Sequence, residues 1–350
     1  MPVPREVHQG ARLADLTTLA VGGPIDQLVQ VSTTSDLVAA VREADEAGRP
    51  LLVLGGGSNV VAPDEGWPGD VVAVRSRGID RSGTALTVQA GEPWDDLVAY
   101  TVENGLAGIE ALSGIPGSTG ATPIQNVGAY GQEVAQTITA VQVYDRQEKA
   151  ERALTPAECG FVYRDSRLKR EPGRFVVLDV TFALDASTDS RPVGYAELAR
   201  KLGIELGQTA PLAEVRAAVL ELRRGKGMVL DPADPDSRSA GSFFTNPIVP
   251  AAHAVDGCPS WPAGDGHVKL SAAWLVQSAG FGRGTRQGNV GTSSRHSLAL
   301  TTEPGATAGE LLEFADQVVQ AVRAQFGVTL TPEPTAVQPG RGEWAPEGSA

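Results

Sequence analysis

Short apolar runs alternate with helical stripes along the first half of the chain. Gln27–Val31 and Leu51–Leu54 have the length and composition of strands. Between them Leu37, Val41 and Ala44 keep the spacing of one helical face, which Gly48 ends. Val60-Val61-Ala62, Val71–Val74 and Ala85–Ala90 predict further strands. Pro93 then opens a helix through Trp94, Leu97, Val98 and Val102 that stops at Gly105. Two more strands are predicted at Ala140–Tyr144 and Phe175–Leu184. Residues 185–195, rich in Asp, Ser, Pro and Gly, mark a boundary. Beyond it helices prevail: Tyr195–Leu202, then Leu212, Val215, Val219 and Leu222 on one face, then a turn capped by Ser271 that runs through Trp274 and Leu275 to Gly280. Thr307 and Glu310 form a capping box for a long helix through Leu311, Phe314, Val318 and Val322 to Gly327. Residues 1–14 read as polar and loose, and the Pro- and Gly-rich segment after Pro334 as a fraying tail. No internal repeat is visible.

Two glycine-rich stretches interrupt this pattern. Residues 113–131, SGIPGSTGATPIQNVGAYG, hold too much glycine and proline for a helix. They are too polar at Gln125-Asn126 for a plain core strand. Such dense glycine lets backbone amides converge on a ligand, and Ser113, Ser118, Thr119, Thr122, Gln125 and Asn126 add neutral hydrogen-bonding groups. This chemistry suits a large polar ligand with phosphates and a ring, such as a dinucleotide. A flexible linker is the bland alternative, but linkers rarely mix Ile, Pro, Gln-Asn and Tyr in one run. The second stretch, Gly55-Gly56-Gly57-Ser58-Asn59, lies between two strand-like runs, and position 60 is Val. A GxGxxG dinucleotide fingerprint needs a third glycine and a following helix, so that reading fails. A nest of amides remains.

Composition narrows the class. A chain of 350 residues, 41% hydrophobic and 20% charged, has room for two domains of an ordinary globular protein. Its net charge of −13 disfavours nucleic acid and anionic membranes as partners. Cys159 and Cys258 match no metal spacing and read as free thiols of a reducing compartment. His8, His253, His267 and His296 form no zinc pattern. The N-terminus has no signal-like apolar region and no run approaches a membrane span, so a cytoplasmic location is expected. Tyr163–Lys169 reads equally as a solvated turn or as a site. Arg223-Arg224-Gly225-Lys226 is a basic helix end that could receive an anion.

Seven stretches in order resemble the UDP-N-acetylenolpyruvoylglucosamine reductase (MurB) family: TTLAVGG (17–23), LGGGSN (54–59), SGIPGSTGATPIQNVGAYGQE (113–133), YRDS (163–166), AGSFFTNP (240–247), KLSAAWLV (269–276) and LTPE (330–333). They span nearly the whole chain. The resemblance implies an α+β protein: a vanillyl-alcohol-oxidase/PCMH-type FAD-binding fold of two subdomains over 15–190, and a C-terminal α+β substrate-binding domain over 195–333. Residues 334–350 are then a flexible tail. The TPIQNVGAYG wording and Tyr195 resemble the subtype in which a tyrosine-bearing loop closes over the substrate. The family often continues Pro-Glu with Val-Arg, whereas Pro334-Thr335 follow here, and Lys226 before GMVLDP matches the family lysine only across a gap.

The implied reaction reduces the enolpyruvyl C=C of a UDP-sugar in peptidoglycan synthesis. Side chains cannot deliver hydride, so FAD, recharged by NADPH, must bring it to C3, while the protein stabilises charge at C2 and protonates it. The resemblance assigns Arg164 to the substrate carboxylate, Ser242 to proton donation and Glu333 to the enol or the proton relay. FAD contacts are expected at Gly55, Gly56, Gly57, Ser58, Asn59, Ser113, Gly114, Ile115, Pro116, Gly117, Ser118, Thr119 and Gly120, the two nests taking the pyrophosphate. Gln125, Asn126, Gly128, Ala129 and Tyr130 are expected near the flavin ring or ribityl chain. Tyr163, Tyr195, Lys226, Asn246 and His296 are candidates for the UDP-sugar, and Trp274 reads as core. A monomer is expected. An oxidase of the same fold would share the nests without the Arg-Ser-Glu trio, and a nucleotide-sugar binder would explain the Gly and Lys/Arg elements without flavin.

Overall fold

The computed structural model describes residues 7–8 and 10–339. The chain divides into two compact units. The first holds residues up to Ala11, Ile25–Gly57 and Trp67–Arg224; the second holds Arg12–Pro24, Ser58–Gly66 and Gly225 onward.

In the first unit, strands β1 (Ile25–Val31), β2 (Leu51–Leu54) and β3 (Trp67–Val74) form a sheet with β3 in the middle, parallel to both neighbours. Val7–His8 adds an antiparallel edge to β1. A parallel β1–β2 arrangement needs a crossover, and helix α1 (Thr34–Glu46) supplies it. Thr33 caps α1 by accepting the Asp36 N–H, and Leu37, Val41 and Ala44 are fully buried, as their spacing predicts. A second sheet is antiparallel throughout. Its members are β4 (Ile79–Ser82), β5 (Ala85–Gln89), β6 (Ile138–Asp145), β7 (Ala150–Leu154) and β8 (Phe175–Ala183), in the order β7-β6-β8-β5-β4. Helix α2 (Trp94–Glu103) buries Trp94, Leu97 and Val98, and the Trp94 ring meets Phe182 of β8 at 6.0 Å. A smaller cluster gathers Val193, Leu198, Val215 and Val219 of helices α3 (Ala196–Leu202) and α4 (Leu212–Gly225) and the loop before them.

The second unit is built on β9 (Ser239–Ser242), β10 (Val290–Thr292) and β11 (Ala299–Thr302), with β11 between the other two. Helices α5 (Ala272–Ser278) and α6 (Ala308–Phe326) cover it. The capping box at Thr307 and Glu310 is present, and α6 buries Leu311, Phe314, Val318 and Val322. Leu19, Val21 and Val61 belong to this same core. Leu13 lies in a 3-10 turn and is fully buried, which corrects the reading of residues 1–14 as loose: its apolar side chain anchors the segment. Thr335–Ala336, within the stretch read as tail, pairs in parallel with Val60–Val61, while 340–350 lie outside the described residues.

One buried ion pair pins the second sheet's hairpin end. Asp145 is fully buried at the end of β6 and takes a fork from Arg174, with Nη2 to Oδ2 at 2.8 Å. The backbone N–H groups of Gln147 and Glu148 also donate to it. Hydrogen bonding from Arg174, opposed by burial and assisted by these amides, holds the carboxyl below its ordinary pKa. A folded pKa below the unfolded one gives stabilisation that is complete above the ordinary carboxylate range and fades as pH falls through the folded value. Asp145→Asn should therefore lower Tm at neutral pH, and its deficit relative to the parent should shrink as the pH drops below about 4. Thermal melts from pH 7 to pH 3 check this; a deficit independent of pH would show that the Asp145 charge is not the source.

Candidate active site

The two glycine stretches meet in the first unit. A Cβ placed on Gly56 would lie 2.6 Å from the Gly117 Cα and 3.0 Å from its carbonyl carbon. One on Gly55 would lie 2.2 Å from the Ser118 Oγ. The backbones therefore touch, which only glycine permits. Among the described residues, no protein acceptor takes the amides of Gly56, Gly57, Ile115, Gly117 or Ser118. Converging open amides in a cradle that a Cβ would fill fit the diphosphate of a dinucleotide. The guanidinium of Arg75, at the end of β3, lies beside them: Nη1 donates to the carbonyls of Gly55 and Val74 at 2.9 Å each, and burial pulls its pKa down. Sequence reasoning missed Arg75; a lone cation closing the apolar run 71–74 was its only signal.

The other expected amides in this stretch are engaged by the protein. Gly114 N–H donates to the Asp95 carboxylate at 2.5 Å and Thr119 N–H to the Glu92 carbonyl at 2.8 Å. Gly120 N–H donates to the Ala90 carbonyl at 2.9 Å, and the Ser113 hydroxyl to the Glu110 carbonyl at 2.7 Å. These contacts shape the loop that carries the open amides. Pro116 forms the turn, and Trp94 pins both sides of it: its N–H donates to the Gly117 carbonyl and its indole N–H to that of Leu112. Asp95 also receives a fork from Arg216 of α4 at 2.6 and 2.9 Å.

Past Gln125, which is half-buried, Asn126 is 1% exposed and its side-chain amide is engaged inside the protein. Gly128–Ala129 and Gln132–Glu133 form a small hairpin with Tyr130 and Gly131 at its tip. Arg164 Nη2 donates to the Gly128 carbonyl at 2.6 Å, and the Arg164 guanidinium lies 5.5 Å from the Tyr163 ring. Tyr130 meets Tyr195 edge to face at 5.5 Å. Burial drives the Tyr130 phenol up to about 12 and raises that of Tyr195, so both stay protonated donors at neutral pH. Tyr195 is 43% exposed just before α3.

In the second unit, Ser242 ends β9 beside Gly241, whose φ of 73° bends the strand out of register with β11. Phe243 and Phe244, each 1% exposed, wall the stretch behind it. The Phe243 carbonyl accepts the Glu333 N–H at 2.8 Å and Phe244 pairs with Pro332, so Glu333, far away in sequence, lies across from Phe243, the residue after Ser242. Asn59 brackets Glu333: its Nδ2 donates to the Glu333 carbonyl at 3.2 Å and its carbonyl accepts the Thr335 N–H. Asn59 thus has a positioning role that the glycine-nest reading did not foresee, and Ser58 adds its carbonyl as acceptor for Thr18. Asn246 Oδ1 accepts the Ala272 N–H at the start of α5, a helix-end contact. Gly227, next to Lys226, packs against Asp236, where an added Cβ would sit 2.6 Å away. Asp236 also accepts the Ser294 N–H and hydroxyl, and His296 N–H donates to Ser293 Oγ. The partly buried Trp274 ring packs at 5.5 Å against Phe326, tilted by 49°, at the edge of the second unit's core. No group of three or more potential metal ligands occurs among the described residues.

Similarity to known proteins bears on these features. The FAD binding domain profile matches residues 25–153, and the C-terminal domain profile of UDP-N-acetylenolpyruvoylglucosamine reductase matches 232–337. The UDP-N-acetylenolpyruvoylglucosamine reductase of Thermobifida fusca is 52% identical over 343 residues, 93% of this chain and 96% of that one. That of Salinispora arenicola is 53% identical over 95% of this chain and 96% of its own length. This chain belongs to the UDP-N-acetylenolpyruvoylglucosamine reductase (MurB) family. The crystal structure of the MurB reductase from Thermus caldophilus superposes with a TM-score of 0.67 at 28% identity, covering 95% of this chain and all of that one. The fold is the FAD-binding, PCMH-type one, and the open amides at Gly56, Gly57, Ile115, Gly117 and Ser118 are groups that could hold the FAD diphosphate.

The packing separates two glycine substitutions. Gly56→Ala drives a methyl into the Gly117 backbone, so it should cut FAD affinity at least about tenfold and lower the apoprotein Tm. Gly55→Ala clashes with a hydroxyl only, so Ser118→Ala in the same chain should restore most of the apoprotein Tm. Apoprotein melts and fluorescence titration with FAD read both, and equal recovery of Gly56→Ala by Ser118→Ala would contradict this geometry.

Proposed function

We propose that this chain reduces the enolpyruvyl ether of UDP-N-acetylglucosamine enolpyruvate to UDP-N-acetylmuramate with NADPH, as a soluble monomer in the cytoplasm, in peptidoglycan synthesis. The pairing of the Ser242 and Glu333 segments through the Phe243 carbonyl is the observation that supports it most directly. It brings the segment bearing a hydroxyl residue and the segment bearing an acidic one against each other, which simple flavin binding does not require. No described helix is long and apolar enough to cross a membrane.

When bound, FAD supplies the hydride, drawn from NADPH, that forms the new C–H bond at C3. The C=C electron pair shifts toward C2 and the attached carboxylate. Arg164 takes that carboxylate with its guanidinium and spreads the developing charge. The Ser242 hydroxyl gives its proton to C2, and Glu333 shares in the relay that returns one to the serine oxygen. The neutral phenol of Tyr195 donates to the UDP-sugar, Lys226 neutralises its phosphate, and Tyr163, Asn246 and His296 complete the contacts.

Ser242→Ala separates the two half-reactions. NADPH should still bleach the flavin near the parental rate, because hydride uptake requires no proton from this side chain. Reoxidation by the enolpyruvyl substrate should slow by about 10²–10⁴-fold or more. Ser242→Cys should recover part of the rate. Stopped-flow absorbance resolves each step, and parental reoxidation by the alanine variant would transfer the donor role to Glu333 acting through water.

A further inference from the structure

We propose that Asn126 is a positioning residue that aims Arg164, an inference resting on the role given to Arg164 above. Arg164 sits at the tip of a two-residue reverse turn. Val162 N–H donates to the Asp165 carbonyl at 3.0 Å and Asp165 N–H to the Val162 carbonyl at 3.2 Å, leaving Tyr163 and Arg164 at the corner. Arg164 itself has a φ of 57°, in the left-handed region that disfavours a long side chain. Such a tip holds one direction only if both of its stems are fixed.

The descending stem is fixed by Ser166, whose hydroxyl donates to the Ile124 carbonyl at 2.5 Å, and by Leu168, which is buried. On the ascending stem Phe161 packs against the core of the first unit, but Val162, next to the corner, is 55% exposed. The Val162 carbonyl is held by a hydrogen bond at 3.0 Å from Asn126 Nδ2. The second Nδ2 hydrogen goes to the Glu133 carboxylate at 2.8 Å, and Oδ1 accepts the Ala135 N–H at 3.2 Å. Both donors of a buried amide and its oxygen are thereby committed to the protein. The Asn126 backbone is left-handed too, with a φ of 47°, a conformation asparagine tolerates better than most side chains.

The same segment also holds the guanidinium. Arg164 Nη2 bonds the carbonyl of Gly128, two residues after Asn126, and a Cβ on Gly128 would stand 3.0 Å from Arg164 Nη1 and 2.8 Å from Glu133 Cγ. Asn126 therefore fixes the base of the turn while the strand it opens fixes the head of the side chain. A guanidinium held at both ends meets a planar carboxylate in one orientation, and such orientation is where small displacements are felt most in rate.

The test uses the purified holoenzyme and three sites. Asn126→Gly keeps the left-handed backbone and removes the brace. Asn126→Asp keeps the volume and the acceptor for Ala135 but can no longer donate to Val162. Arg164→Ala is the reference. Each is measured for bound FAD, Tm, and the two half-reactions by stopped-flow. Both Asn126 variants should retain FAD and should be reduced by NADPH without slowing, while reoxidation by the enolpyruvyl substrate slows by up to about 10²-fold. Placed on Arg164→Ala, the same changes should slow reoxidation no further. Glu133→Gln, which still offers an acceptor to Asn126, should slow it less than Glu133→Ala. If Arg164→Ala slows reoxidation but both Asn126 variants match the parent, this inference falls and the proposed function stands. If Arg164→Ala itself reoxidises normally, the role of Arg164 is wrong and the inference falls with it. Loss of FAD, or equal slowing of both half-reactions in the variant that folds, would make Asn126 a general brace and overturn its specific role.

Discussion

The close approach of Gly56 to Gly117 governs the architecture of the first unit. Two backbones can lie at that separation only if position 56 carries no side chain and something presses them together. The pressure comes from the segment opening α2. Glu92, Trp94 and Asp95 bond the stretch at Leu112, Gly114, Gly117 and Thr119, and Trp94 is itself sunk in the core against Phe182. The amides left facing outward are thus displayed by a rigid helix terminus and a packed aromatic, not by a loop alone. Pre-formed donors of this kind bind an anion without first having to be ordered.

Regular elements were legible wherever the periodicity was local. The α6 capping box, the buried stripe of α1 and the failure of the GxGxxG reading all rest on residues within a few positions of one another. What the sequence hid depends on long-range partners. Asp95 meets Arg216 and Asn59 meets Glu333, and no spacing rule links residues so far apart. Leu19, Val21 and Val61 look like ordinary apolar residues, and nothing in their pattern says that they join the core of the second unit.

Asparagine is the residue type whose role at the site the sequence leaves most open. A neutral amide within a glycine run, as at Asn59 and Asn126, is a natural ligand group. The same amide is equally good at bonding a backbone carbonyl, and a glycine-rich loop, short of side chains of its own, needs such braces most. Composition reports the hydrogen-bonding capacity of these residues but not its direction. The aromatic and charged members of the motifs, Phe243-Phe244 and Arg164, were less ambiguous, since their bulk and charge leave fewer places to go.

The pairing of Thr335–Ala336 with Val60–Val61 has a bearing on biosynthesis. The second unit draws on segments 12–24 and 58–66 and pairs Val60–Val61 with Thr335–Ala336, which leave the ribosome much later. Leu19, Val21 and Val61 on those early segments share their core with residues from Phe243 onward, which are translated much later. The interval leaves that apolar surface exposed in the nascent polypeptide. A chain that stops before Thr335 lacks the strand that pairs with Val60–Val61, so the early segment keeps an unpaired edge.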